Sequence, residues 1–199
     1  MKTKADPTTS EISHRLVVPI QTRGNLGKST EAIARCEWMQ QRGVAWKGFD
    51  LDAHNRTLST TFASEVSFVE SGFEPEGELI KIFRGLTQSE VTVIDPSAHM
   101  NKTILRAMQM VRLTELCAAI SARMTVLVYP VDEVSDMDDI AQTVETLGSS
   151  VDWIIIRNPI KIPSTKFFQG SELEAQLLQF SGNRDRFFQA ETQSAGGGH

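Results

Sequence analysis

The sequence predicts an α/β domain: a mostly parallel sheet flanked by helices on both faces. Three observations carry this. Short apolar runs of strand character alternate with longer amphipathic runs of helical period, the pattern of parallel strands joined by crossover helices. A glycine-containing turn, Thr22 to Gly27, joins the first apolar run to the first helical one. The second and third apolar runs lead into aspartates, which a parallel sheet gathers on one edge, at the carboxyl ends of its strands.

Residues 16–21 read as the first strand, with Leu16, Val17, Val18 and Ile20 apolar. Pro19 interrupts it and lacks the N–H that a central strand donates, so one ladder bond is expected to be missing. A helix follows over 28–42, then a strand over 44–50 that runs into Asp50-Leu51-Asp52. Residues 53–75 place Phe62, Phe68 and Phe73 among polar neighbours and show neither period. A helix is expected over 76–86, a strand over 91–95 ending in Asp95, a long helix over 102–122 and a strand over 124–130. Over 134–147, Val134, Met137, Ile140, Ala141, Val144 and Leu147 make a one-sided stripe, and Gly148 is placed to stop that helix. The fifth strand, 151–157, runs into Asn158-Pro159. A last helix over 171–180 packs Leu173, Leu177, Leu178 and Phe180, with Phe167 and Phe168 in its lead-in. Residues 1–14 and 183–199 are expected as flexible tails on one domain spanning 15–182.

Composition agrees with a single domain. The chain has 199 residues, 40% of them hydrophobic, and a net charge of −5, enough to bury a core. No apolar run approaches the roughly 20 residues of a membrane span, and Met1-Lys2-Thr3-Lys4-Ala5-Asp6-Pro7 does not read as a signal peptide. A cytoplasmic location without membrane association is expected. The acidic balance and the lack of a dense basic run argue against constitutive DNA binding, leaving whether DNA is touched open. Cys36 and Cys117 read as buried free thiols in helices. His14, His54, His99 and His199 share no metal-ligand spacing.

The chemistry concentrates in Thr22-Arg23-Gly24-Asn25-Leu26-Gly27-Lys28-Ser29-Thr30. A strand, a glycine turn and a helix N-terminus in that order aim backbone N–H groups at a phosphate chain. Lys28 is then placed for the β and γ phosphates and the Ser29 hydroxyl for Mg²⁺. Thr22 stands where the usual pattern has its first glycine, and Asn25 tolerates positive φ better than other non-glycine residues. Asp52 and Asp95, at neighbouring strand ends, supply the carboxylates that magnesium-dependent phosphoryl transfer needs.

Taken together, these segments resemble the ParA/MinD family of deviant Walker A ATPases, P-loop NTPases of the SIMIBI type. Arg23 to Thr30 falls on that family's Lys-Gly-Gly-x-Gly-Lys-[Ser/Thr]-Thr, Asp50 to Thr57 on its Asp-x-Asp-Pro-Gln segment, and Val93-Ile94-Asp95-Pro96-Ser97 on its Walker B strand. Within the family, the TraL-like ATPases of conjugative and mobilisable plasmids look most similar. The resemblance covers about residues 15–160. It implies Gly24, Asn25, Leu26, Gly27, Lys28, Ser29 and Thr30 around the nucleotide, Ser29 and Asp95 at Mg²⁺, and Asp52 orienting water. It further implies that Arg23, in place of the family's first lysine, acts across an ATP-dependent homodimer, and that Asn158 contacts the adenine. Without an Asn-Lys-x-Asp motif for guanine, ATP is the expected nucleotide.

The resulting expectation is a Mg-ATP-binding, slowly hydrolysing ATPase switch in plasmid partition, conjugation or mobilisation, with a transfer or partition protein as partner. A nucleotide-gated interaction protein with negligible hydrolysis is the alternative. A metabolic ligase of related fold would need a second substrate motif, and the sequence offers none.

Overall fold

The computed structural model describes residues 12–21, 23–70, 75–158, 160, 162 and 164–181. Residues 1–11 and 183–199 of the expected tails, together with Thr22, Phe73 and Pro159, lie outside the described residues. The elements are β1 (His14–Pro19), α1 (Lys28–Gln41), β2 (Trp46–Asp50), α2 (Thr57–Thr61), β3 (Val66–Phe68), α3 (Pro75–Gly85), β4 (Val91–Asp95), α4 (Asn101–Met110), α5 (Leu113–Ala119), β5 (Ala122–Val128), α6 (Val134–Leu147), β6 (Asp152–Ile155) and α7 (Glu172–Phe180). The six strands form one sheet in the order β3-β2-β4-β1-β5-β6, and every pairing is parallel. The expected α/β class therefore holds.

Alternation along the central strands assigns the two faces. Leu16, Val18 and Ile20 of β1 join Ile94, Met124, Val126 and Val128 in the larger core, to which α3 through α7 contribute Leu79, Ile82, Ile104, Cys117, Ile140 and Leu177. The opposite face carries Val93 beneath α1 and α2, and Val17, Leu127 and Ile156 further along. Both cysteines are buried and unpaired, and burial pushes the Cys36 thiol up to about 12 and the Cys117 thiol up to about 11.

Four local readings change. The helix expected over 102–122 is two helices, broken where Arg112 takes φ +51. Continuing the phase of Ile104 and Met108 would turn Arg112 and Glu115 inward; the break re-phases the chain so that Leu113 and Cys117 reach the core instead. A second left-handed residue, Ser121, ends α5 and lets β5 begin at Ala122 rather than 124. The undecided stretch 53–75 contains α2 and β3. Leu58 and Phe62 of that stretch are buried, and Phe62 stands edge-on to Trp46 with ring centroids 5.3 Å apart. In α6 the buried stripe is rotated: Val134 and Ala141 are exposed, whereas Asp136 and Thr143 are buried beside Ile140, Val144 and Leu147.

Pro19 closes β1 in the middle of the sheet. β1 pairs with β5 out to Pro19 and Leu127, but with β4 only as far as Val17 and Val93.

Candidate functional site

The carboxyl ends of β1, β2 and β4 lie side by side, so the residues that follow them meet on one edge. The turn after β1 runs directly into α1, with Gly27 as its N-cap at φ +93. Asn25 takes φ +59, the left-handed conformation its side chain tolerates. Gly27 is demanded twice over: beyond its φ, a Cβ there would fall 2.6 Å from Asn158 Nδ2. At Gly24 a Cβ would meet only Ala98 Cβ at an ordinary 3.7 Å, so space alone does not require that glycine.

Lys28, the first residue of α1, is 7% exposed, and its ammonium donates to the Arg23 carbonyl at 2.7 Å, spanning the loop from inside. Desolvation lowers its pKa, against the opposing pull of Asp95, Asp52 and Asp136. Asp95, the last residue of β4, is 1% exposed, and neither of its carboxylate oxygens has a hydrogen-bond partner. Burial pushes its pKa up to about 6; the neighbouring Ser29 hydroxyl and Lys28 pull it down, while Asp50 and Asp52 push it further up. Ser29 is thus near enough to influence the carboxylate without completing a hydrogen bond to it.

A buried, unpartnered carboxylate beside a hydroxyl at a helix N-terminus fits a hydrated magnesium ion. Magnesium takes few protein ligands and keeps waters that can hydrogen-bond to the carboxylate. Ser29 and Asp95 are the residues that would hold it. Among the described residues no group of three or more His, Cys, Asp or Glu side chains forms a self-contained metal site.

The two acids after β2 have different surroundings. Asp50 is fully buried and pins the next segment, accepting from the Asp52 N–H at 3.0 Å and from the Ser59 N–H and hydroxyl at 2.9 Å each. Asp52 is half-buried and accepts from the His54 N–H at 3.0 Å, the Asn55 N–H at 3.2 Å and the Asn55 amide at 3.0 Å. Burial alone would raise the Asp52 pKa, but these donors outweigh it and hold the carboxyl below its ordinary value. His54 thus touches the site through its backbone, and the side chain of His99 lies outside the described atoms.

Arg23 and Asn158 have partners that sequence spacing does not show. The Arg23 guanidinium forms ion pairs with Glu133 and, at 3.4 Å, with Asp136, at the start of α6, and these carboxylates raise its pKa. The Asn158 amide donates to the Leu26 carbonyl at 3.1 Å, bracing the loop under Gly27. Of the expected residues, Arg23 to Thr30, Asp95 and Asn158 are gathered around one loop, with Asp52 close enough to act on Lys28 and Asp95 electrostatically. Glu133 and Asp136 are the additions. For Asp136 a signal existed, because it lies four residues before Ile140 on the buried side of α6.

No protein-family profile and no curated protein matches the chain. Solved structures do. The signal recognition particle receptor FtsY from Elizabethkingia anophelis in complex with GDP is similar with a TM-score of 0.52 at 12% identity, over 93% of this chain and 57% of that one. The signal recognition particle 54 kDa protein from Aeropyrum pernix K1 in complex with GDP gives 0.51 at 13% identity, over 89% of this chain and 41% of that one. The MinD cell division protein of Aquifex aeolicus gives 0.51 at 14% identity, over 84% and 78%. The chain therefore spans less than two thirds of the first two proteins. Likeness at such identities concerns the path of the backbone, and by that path the chain has the fold of the P-loop NTPases of the SIMIBI type.

Proposed function

We propose that this protein is a magnesium-dependent ATPase switch that binds ATP at the turn before α1, pairs with a second copy around the nucleotide, and hydrolyses it slowly. The TraL-like pattern of its motifs supports a place in plasmid partition, conjugation or mobilisation, with a transfer or partition protein as partner. One observation carries the reading: Lys28, Ser29 and the unpartnered carboxylate of Asp95 converge beneath one loop. Lys28 neutralises phosphate charge, and the N-terminus of α1 adds a positive dipole end. Ser29 and ionised Asp95 hold magnesium, which when bound offsets charge on the phosphates. Asp52, kept ionised by its loop donors, orients the attacking water.

Calorimetry with ATP and GTP, with and without Mg²⁺, joined to sedimentation and turnover measurements, tests the whole reading. Tight magnesium-dependent ATP binding with nucleotide-dependent pairing is expected; no triphosphate binding would overturn it. Asp52→Ala is expected to leave ATP affinity within about threefold and to slow turnover by at least about a hundredfold, the usual cost of losing a group that positions the nucleophile. Turnover at the parental rate would remove Asp52 from that role.

Arg23→Ala is expected to abolish both pairing and turnover while monomeric ATP binding persists. Arg23→Lys keeps the charge but loses the bidentate fork, so loss of pairing in that variant would assign the fork itself. Unchanged sedimentation and turnover in Arg23→Ala would leave the residue as a loop charge held by Glu133 and Asp136.

Asn158→Ala is expected to reduce affinity for every triphosphate by about fivefold, through a lost hydrogen bond worth about 1 kcal/mol under the loop. If Asn158 also contacts adenine, the preference for ATP over GTP drops as well. An unaltered preference restricts it to bracing Leu26.

A second reading, a nucleotide-gated interaction protein with negligible hydrolysis, is favoured by two contacts. Both Asp52 oxygens are engaged by its own loop, and Arg23 is engaged by α6. ATP binding without turnover, alone or with a partner, would select it.

A further inference from the structure

The two faces of the sheet are unequally covered. Among the described residues, five helices pack on one face and two, α1 and α2, on the other, although parallel sheets ordinarily have both faces buried. α1 lies over β2 and β4. Beyond it, toward the edge strand β6, a groove of about 1030 Å³ is lined by Val17, Tyr129, Ile154 and Ile156 and by Ala34 and Trp38 of α1, and at one end it reaches Gly27, Thr30 and Asn158 of the candidate nucleotide site. Trp38 is 47% exposed there. A helix of about 10 Å diameter fills roughly 420 Å³ per turn, so the groove has room for roughly two and a half turns of packed chain. That is more than an isolated side chain would occupy. The charged groups along it are ion-paired, Arg15 with Asp152, Glu31 with Arg35, and Arg157 with Glu174.

The path of the chain identifies an occupant. α7 packs on the well-covered face, but its end passes the open edge of β6, where the Ser181 hydroxyl approaches the Trp153 carbonyl at 3.4 Å. Phe180 and Ser181 form the lip of the groove. The sequence then continues for residues 182–199, beyond the described residues, with Phe187 and Phe188 as its only large apolar side chains. Six residues from Ser181 to Phe187 reach up to about 20 Å, and strands lie about 4.8 Å apart, so Phe187 can reach the floor over β6, β5 and β1.

We propose that the segment after Ser181 turns round the edge of β6 and seats Phe187 and Phe188 in the groove beside α1, completing the second helical layer as an intramolecular cover. Because the groove meets the candidate nucleotide site at Gly27, Thr30 and Asn158, the test uses the full chain without nucleotide. Trp46 and Trp153 are buried, so acrylamide quenching reports chiefly on Trp38. The parent chain is expected to bind little of the apolar dye 1-anilinonaphthalene-8-sulfonate, and Phe187→Asp/Phe188→Asp to create that binding and at least double the quenching.

Cross-linking supplies a second measurement that survives any change in stability. With Ala34→Cys and Gln189→Cys in one chain, a short bis-maleimide should join them within the monomer. The buried native thiols stay unreactive, and the control pair Gln109→Cys with Gln189→Cys, which places the first cysteine on the opposite layer, should remain unlinked. Equal quenching and dye binding in parent and variant would overturn the proposal by leaving the groove open to a small apolar ligand or another protein. Cross-links formed only between chains would overturn it in favour of a second copy.

Discussion

Replacing Lys28 with alanine is expected to lower Mg-ATP affinity by at least about a hundredfold. Charge-assisted hydrogen bonds contribute about 1.5–3 kcal/mol each, and two of them to the β and γ phosphates amount to at least about 3 kcal/mol, a factor of more than a hundred. The other cation of the loop, Arg23, is directed to Glu133 and Asp136 instead. In the free protein Lys28 contributes less. Burial already lowers its pKa, and its one hydrogen bond runs to a backbone carbonyl. Thermal stability without nucleotide should therefore change little while calorimetric affinity collapses. Retained affinity would place the nucleotide elsewhere.

Asp95→Asn is expected to act in opposite directions on stability and on function. The native carboxyl has a pKa of about 6 against an ordinary 3.8, so its ionised form is less well accommodated in the fold than in the unfolded chain. For an acid whose folded pKa is raised, this penalty is absent below pH 4, grows as pH rises through the two values, and is complete above about 6. At about 1.36 kcal/mol per unit it is on the order of 3 kcal/mol at neutral pH. The asparagine variant should therefore melt several degrees higher than the parent at pH 7.5, with the difference shrinking toward pH 4, and should bind ATP without the magnesium dependence of the parent. Equal melting temperatures at both pH values would mean that Asp95 is not held in the strained, unpartnered state described. The unliganded protein thus carries a buried carboxylate that no hydrogen-bond donor among the described residues satisfies.

The strands were legible because central strands buried on both sides write themselves as apolar runs, and β4, for example, is recovered at Val91–Asp95. β3 and α2 were not, because three and five residues are too few to display a period. The break at Arg112 follows from which side chains meet the core, a tertiary choice that local propensity does not encode. In the site, the turn from Arg23 to Thr30 is contiguous and so was readable as chemistry. The partners of that turn were hidden: Asp136 lies 113 residues from Arg23 and Asn158 lies 132 residues from Leu26. They arrive only because β5 pairs beside β1 and β6 beside β5.

The proline that ends β1 has a mechanical consequence. Arg15 donates its N–H to the Glu90 carbonyl on the β4 side, and Ile20 donates to the Leu127 carbonyl on the β5 side. By the alternation of a parallel ladder, residue 19 faces β4, where proline has no hydrogen to give. The rung lost is the last one between these strands, next to the point where β1 runs on into the turn and β4 ends in Asp95. The seam between β1 and β4 is paired at residues 15–17 and 91–93 and lacks a rung only at its carboxyl end. At Pro19, then, no backbone hydrogen bond from β1 constrains the end of β4 that carries Asp95.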